Sequence, residues 1–256
     1  MVFTHSGRMG DFFATLPIYS AWYKTKNQKV QLVFPKNFPF IDSTREFLMR
    51  FDFVETVITS SFEVLNFECG GVPYIWNPND HGVGCKEWYN LGFRHKPDKF
   101  VAKFCAEEYG LEVDEDFHID IPFDKELHER YGETIGFADA STHRDDYGIL
   151  EKIMVKSEVN YHKFDVNTPL IENLKIAKHC KYNVCAGSAM AILLSFSKIP
   201  FSGYTWQTPP SFFYKPSPIV HSIWPPPEEI LNHSKEDILK FLNINGNTNV
   251  TTNCIV

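Results

Sequence analysis

Val2-Phe-Thr4, Ser6-Gly7-Arg-Met-Gly10-Asp11, the run from Phe12 to Lys24, and Val30-Gln-Leu-Val-Phe34 form the stretch on which the fold turns. The first is a short β-type run, the second a glycine-bearing turn, and the third carries apolar residues at helical spacing. Val30 to Phe34 reads as a second strand. Pro35, a helical stretch around Ser43 to Phe51, and a third strand at Glu55 to Thr59 follow. The order βαβαβ implies a parallel sheet, because parallel neighbours need a crossover between them. In open sheets of this kind the ligand crevice lies beyond the carboxyl ends of the strands, where the loop Gly7 to Asp11 sits.

Further along, the pattern weakens. Glu63 to Lys99 holds Gly70-Gly71, Pro73, Pro78, Gly82 and Gly84 among several aromatics, as expected of long loops. A helix is predicted over Pro97 to Tyr109, then an extended segment at His118-Ile-Asp-Ile-Pro122. Asp124 to Arg130 is polar enough to be a linker, which puts a domain boundary near residue 128. The strand–loop–helix order then repeats: a strand at Glu133 to Ala138, a loop from Asp139 to Asp146, and a helix capped by Thr168 with Pro169 at its first position. A strand at Lys181 to Cys185, the turn Ala186-Gly-Ser188, an apolar helix from Ala189 to Lys198 and a strand at Ile199 to Tyr204 come next. A last helix is expected over Glu228 to Leu242. The expected organisation is therefore α/β, with domains at 1–128 and 129–243 and a tail at 244–256.

Composition narrows the classes. With 256 residues, 43% hydrophobic and 22% charged, the chain can build a sizeable core, which excludes disorder and coiled coil. A formal charge of −7 argues against a surface that coats nucleic acid, while leaving room for a local basic pocket. The longest apolar runs, such as Ile192 to Phe196, fall far short of the ~20 residues that span a bilayer. No basic segment followed by a long apolar one opens the chain, so a cytoplasmic location is expected. Six cysteines without C-x-x-C spacing are expected as free thiols. His81 and Cys85 have no second pair with ligand spacing, so no metal is expected.

Two glycine loops precede helices, one at Gly7 to Asp11 and one at Gly187-Ser188. Backbone N–H groups at a helix start, with the helix dipole, favour an anion, and glycine allows close approach. Neither loop matches G-x-G-x-x-G or the P-loop, so on the pattern alone ordinary strand-to-helix turns are the better explanation. Asp11, at the predicted start of a helix, either caps exposed N–H groups or acts as a general base in the crevice.

The segment Gly7-Arg-Met-Gly10-Asp11-Phe-Phe-Ala-Thr-Leu-Pro17, with Val30 to Phe34 and Glu55-Thr-Val-Ile-Thr59, resembles the N-terminal half of the ADP-heptose:lipopolysaccharide heptosyltransferases and their glycosyltransferase relatives. In the second half, Pro169 to Lys178, Asn183-Val-Cys-Ala-Gly-Ser188 and Ala189 to Pro200 resemble that family's donor-binding segment. The resemblance implies the GT-B architecture, two Rossmann-like domains facing across a cleft. It also implies transfer of a sugar from a nucleotide-sugar co-substrate to an acceptor hydroxyl, with inversion and with no metal or other cofactor. Asp11 matches the family's base. Gly7, Arg8, Gly10, Arg144 (or His143), Gly187 and Ser188 are the positions expected to hold the donor diphosphate.

The chain departs from the family at the donor loop. The usual Asp, Ser or Thr, Gly and following His are here Cys185, Ala186, Gly187 and Met190, so donor specificity is not carried over. Arg144 is equally readable as a solvated loop cation. The aromatics Tyr74, Trp76 and Trp88, with Tyr89 and Phe93, are candidates to stack on an acceptor, which could be a glycan, a small metabolite or a modified nucleic-acid base. Core filling is the competing role, foremost for Trp88 and Phe93. Two other functions stay open: a non-catalytic nucleotide- or carbohydrate-binding protein with a decayed donor loop, and a nucleotide hydrolase. The missing Lys-Ser/Thr after the glycines argues against the hydrolase.

Overall fold

The computed structural model describes residues 1–5, 9–38, 40–64, 76–92, 100–139, 148–186, 188–204 and 231–241. The N-terminal half contains β1 (Val2–Thr4), α1 (Met9–Phe13), α2 (Leu16–Lys26), β2 (Val30–Phe34), α3 (Ile41–Leu48), β3 (Val54–Thr59), β4 (Trp88–Asn90) and α4 (Val101–Tyr109). Its strands form a wholly parallel sheet in the order β3-β2-β1-β4. The central strands β1 and β2 are buried on both faces, which is why they read as nearly unbroken apolar runs. On one face Phe3 meets Tyr19 and Trp22 of α2 edge-on, and Phe12 packs against Phe34 with ring centroids 4.6 Å apart. On the other, Val2 and Val33 are covered by Trp76 and Val83.

The helix expected from Phe12 to Lys24 is broken into α1 and α2. Pro17 lacks an N–H, and its ring would collide with a carbonyl one turn back, so the chain turns at Ala14-Thr15. Thr15 holds that turn by donating from Oγ1 to the Phe12 carbonyl at 2.7 Å. Beyond α4, Asp114 is fastened to α2 by Ser20 Oγ at 2.5 Å and Lys24 Nζ at 2.7 Å. Burial alone would raise its pKa, but these hydrogen bonds and the Lys24 charge hold it below the ordinary value.

The second half contains α5 (Lys125–Tyr131), β5 (Ile135–Ala138), α6 (Ile149–Ser157), β6 (Tyr161–Lys163), α7 (Leu170–His179), β7 (Tyr182–Ala186), α8 (Ala189–Phe196), β8 (Ser202–Tyr204) and a final described helix, Lys235–Phe241. Its sheet, also wholly parallel, runs β6-β5-β7-β8. Ile135, Phe137, Leu150, Ile153, Met154, Val184 and Ile238 form its core. Both halves are thus Rossmann-like α/β sheets.

Asp124 to Arg130 is a helix rather than the expected linker. Asp124 caps it, accepting from the N–H groups of Glu126 at 2.9 Å and Leu127 at 3.1 Å, while its own N–H donates to His179 Nε2 at 2.7 Å. The chain accordingly divides between His118 and Ile119, ahead of residue 128: Ile119 N–H donates to the Phe196 carbonyl, tying this segment to the second unit. Val166–Ile171 groups with the first unit. α6, β4 and β6 were not expected from the pattern, and the strand foreseen from Ile199 begins only at Ser202. Of the last expected helix, residues 228–230 and 242 lie outside the described residues, as does the tail at 244–256. Among the described residues no helix is long and apolar enough to cross a membrane.

Gly136 is where β5 tolerates no side chain. A Cβ there would lie 2.5 Å from Asn183 Oδ1 and even closer to the Phe164 ring. Asn183 cannot retreat, because its Nδ2 is shared between the carbonyls of Ala177 and Pro200. Gly136→Ala is therefore expected to destabilise the protein by about 1–3 kcal/mol, the usual cost of overpacking, read as a lowered urea midpoint; an unchanged midpoint would show that the second unit has slack at this contact.

Candidate functional site

Ligands of open parallel sheets bind beyond the carboxyl ends of the strands, where the strand order reverses. That place lies between β1 and β4 in the first unit and between β5 and β7 in the second.

At the first reversal, β1 runs into His5, which is fully buried with its ring edge-on to Phe12 at 5.7 Å. Burial pushes its pKa down to about 3, so the imidazole is neutral. Asn90 ends β4 in register with Thr4 and is also fully buried. Its Oδ1 accepts from the Gly92 N–H at 2.9 Å, which fixes the amide orientation, and its Nδ2 has no protein partner. Asp11 is the third residue of α1 and half-buried. Burial pushes the Cys105 thiol up and the Asp11 charge pushes it further, while Cys105 Sγ donates to the Leu91 carbonyl just past β4. Asp11 is thus carried by α1, the helix that follows the carboxyl end of β1. Gly10 lies beside it in α1, its carbonyl accepting from Ala14 N–H. Gly7 and Arg8 lie outside the described residues.

At the second reversal, β5 runs into Asp139, 6% exposed. Its Oδ1 accepts from Leu150 N–H at the start of α6, and its Oδ2 has no protein partner. Burial holds its pKa above the ordinary value, against the N–H groups of Leu150, Gly148 and Glu151 and the Lys163 charge. Opposite, Ser188 is the N-cap of α8, yet its hydroxyl makes no capping bond and is buried without a partner. Cys185 and Met190 are buried, so neither offers a side chain to a ligand. Gly187, His143 and Arg144 lie outside the described residues.

Of the two roles weighed for the aromatics, core filling is the one the described residues display. Trp76 is 5% exposed and stacked on Phe62, centroids 4.8 Å apart, in the core on the Val2 face. Trp88 packs against the same cluster at the amino end of β4, level with Val2 and away from the strand's carboxyl end. Trp76 is part of that core cluster and Trp88, partly buried, packs against it. Tyr74 and Phe93 lie outside the described residues. His81 rests on the Phe62 ring, and no group of three or more metal-ligating side chains occurs among the described residues. A concavity of about 420 Å³ lined by Arg130, Thr134 and Asn160 lies at the amino end of β5, the edge opposite the reversal. Sequence reasoning missed Asn90 and Asp139. Asp139 was detectable as the first residue past a strand, whereas Asn90 needed β4 to be recognised.

The arrangement has parallels among solved structures. E. coli heptosyltransferase WaaC, described with ADP, superposes with a TM-score of 0.58 at 12% identity, over 95% of this chain and 99% of that one. The chain has a heptosyltransferase-like fold. A family 9 glycosyltransferase from Veillonella parvula gives 0.54 at 11% identity, over 93% and 94%. The iron-containing dodecameric glycosyltransferase TibC of enterotoxigenic E. coli gives 0.53 at 12% identity over 84% of this chain, which spans 61% of TibC. No family model matches the sequence, and no curated protein matches it by sequence.

The heptosyltransferase-like fold keeps His5 uncharged, and this has a pH signature. Above its ordinary pKa of 6.5, folded and unfolded chains both carry neutral His5. Below it the unfolded chain takes up a proton that the fold excludes, so stability falls from about pH 6.5 toward pH 3. Urea midpoints should drop between about pH 7.5 and about pH 5.5, and less steeply in His5→Gln; equal slopes would assign the pH dependence to other groups.

Proposed function

We propose that this protein is a glycosyltransferase that moves a sugar from a nucleotide-sugar to an acceptor hydroxyl, with inversion and without a metal ion. The observation that carries the reading is the place of Asp11 in α1, the helix that follows the carboxyl end of β1, in a fold shared with glycosyltransferases. There the carboxylate takes the proton of the acceptor hydroxyl as its oxygen attacks the anomeric carbon. The bond from that carbon to the diphosphate breaks, and the diphosphate leaves with the electron pair. The N–H groups at Gly187-Ser188 and the start of α8, with Gly7, Arg8, Gly10 and Arg144, are assigned to stabilise that negative charge. Tyr74 remains a candidate acceptor contact, and the acceptor is a glycan, a small metabolite or a modified base. WaaC and TibC are described with ADP or ADP-heptose ligands. For this chain the departures at Cys185 and Met190 leave hexose and heptose equally open. The four described cysteines are free thiols, which suits a cytoplasmic enzyme.

A second reading, a binding protein without turnover, is favoured by the burial of Cys185 and Met190, which leaves the donor loop without the side-chain contacts of its relatives. Nucleotide release from UDP-, ADP-, GDP- and CMP-sugars, measured across a panel of acceptors, separates the two. Asp11→Asn should lower turnover by about a hundredfold or more with an unchanged melting temperature. Undiminished transfer by that variant would remove Asp11 as the base, and nucleotide binding with no release from any donor would favour the second reading.

A further inference from the structure

The second strand-order reversal contains two buried oxygens that the protein leaves without partners. Asp139 follows Ala138, whose register partner is Cys185, so it stands level with Ala186 and beside the turn to Ser188. One carboxylate oxygen caps α6 and the other, Oδ2, is unpaired in a residue only 6% exposed. Ser188, at φ −141° and ψ 175°, occupies an N-cap position where a hydroxyl ordinarily accepts from its own helix, but here the hydroxyl makes no such bond. A buried polar atom left unpaired costs about 1–3 kcal/mol, so two at one strand-end junction point to a ligand that completes them.

The chemistry of the pair limits that ligand. An ionised carboxylate only accepts, so its partner must bring an O–H or N–H. A phosphate oxygen beside Asp139 would be repelled. An ammonium group is disfavoured by the positive end of α8, an eight-residue helix whose N-terminus opens at Ser188. A neutral hydroxyl satisfies both constraints, and adjacent hydroxyls are what a sugar ring presents.

We propose that Asp139 and Ser188 receive hydroxyl groups of the sugar carried by the nucleotide donor, making Asp139 a specificity-determining residue for that sugar. The assignment rests on the glycosyltransferase reading. The phosphates are then held by backbone N–H groups at the α8 start, and the Asp139 carboxylate excludes them from its own side of the junction.

The test compares the affinity of each nucleoside diphosphate (ADP, UDP, GDP) with that of its sugar conjugate (ADP-glucose, UDP-glucose, GDP-mannose) by calorimetry, using the full chain. The wild type should bind one conjugate more tightly than the matching diphosphate. Asp139→Asn, which keeps an oxygen to cap α6, should lose about tenfold on the conjugate while binding the diphosphate as before, and Ser188→Ala, which does not touch α6, should lose more on the conjugate than on the diphosphate. Equal weakening of both ligands in the two variants would overturn the assignment and make the residues structural. A wild type that binds diphosphate and conjugate equally would overturn it too, leaving the glycosyltransferase reading intact. A folded wild type that binds no nucleotide would remove both.

Discussion

Parallel pairing governs everything else in this molecule. Strands that run the same way finish at the same edge, so every turn into a crossover helix is delivered to one side of its sheet. The condition for such a sheet is cover on both faces. In the first unit α2 buries Phe3 and Tyr89 from one side, while Trp76 and Val83 lie over Val2 and Val33 from the other. In the second, Gly136 lets Phe164 and Asn183 close over β5 without a gap. Polar residues at the strand ends, His5, Asn90 and Asp139, are buried because this cover extends up to the edge where the loops begin.

How much of this was legible depended on whether an element announces itself locally. Val30-Gln-Leu-Val-Phe34 is apolar and β-branched, and β2 appears at those residues. Trp88-Tyr-Asn90 carries no such mark, and becomes a strand only because β1 offers it an unpaired edge. Tyr161-His-Lys163 is an edge strand with half-exposed side chains, so it has no apolar alternation to read. The helix at Lys125–Tyr131 has no buried residue; its capping carboxylate and the His179 ring fix its start, and neither is a periodicity. Asp11 was visible from the motif. The buried, unpaired atoms of Asn90, Asp139 and Ser188 arise from packing between distant segments, which no spacing encodes. Trp76 and Trp88 show why the two roles weighed for them could not be separated by pattern: an aromatic in a loop-rich region can equally be the lid of a core.

The electrostatics of the two reversals are complementary to the proposed chemistry. For a chain with net charge −7, the proposed binding of a diphosphate requires an attraction confined to a small place. Oriented backbone dipoles at the α8 start serve this alongside the few cations assigned there. A carboxylate, Asp139, stands at the second reversal, and another, Asp11, lies in the helix that follows β1. Each is placed where a hydroxyl rather than a phosphate is the fitting neighbour.

The register of β4 also bears on how the molecule comes together during folding. β1, β2 and β3 are joined through single crossovers, so their pairing closes short loops, whereas Val2 must find Trp88 across the whole intervening chain. Loop-closure entropy grows with separation, and long-range pairings form later than local ones. The three-stranded scaffold therefore precedes the docking of β4. Since the reversal between β1 and β4 does not exist until that docking, the first unit's crevice is a late product of folding, assembled on a platform already in place.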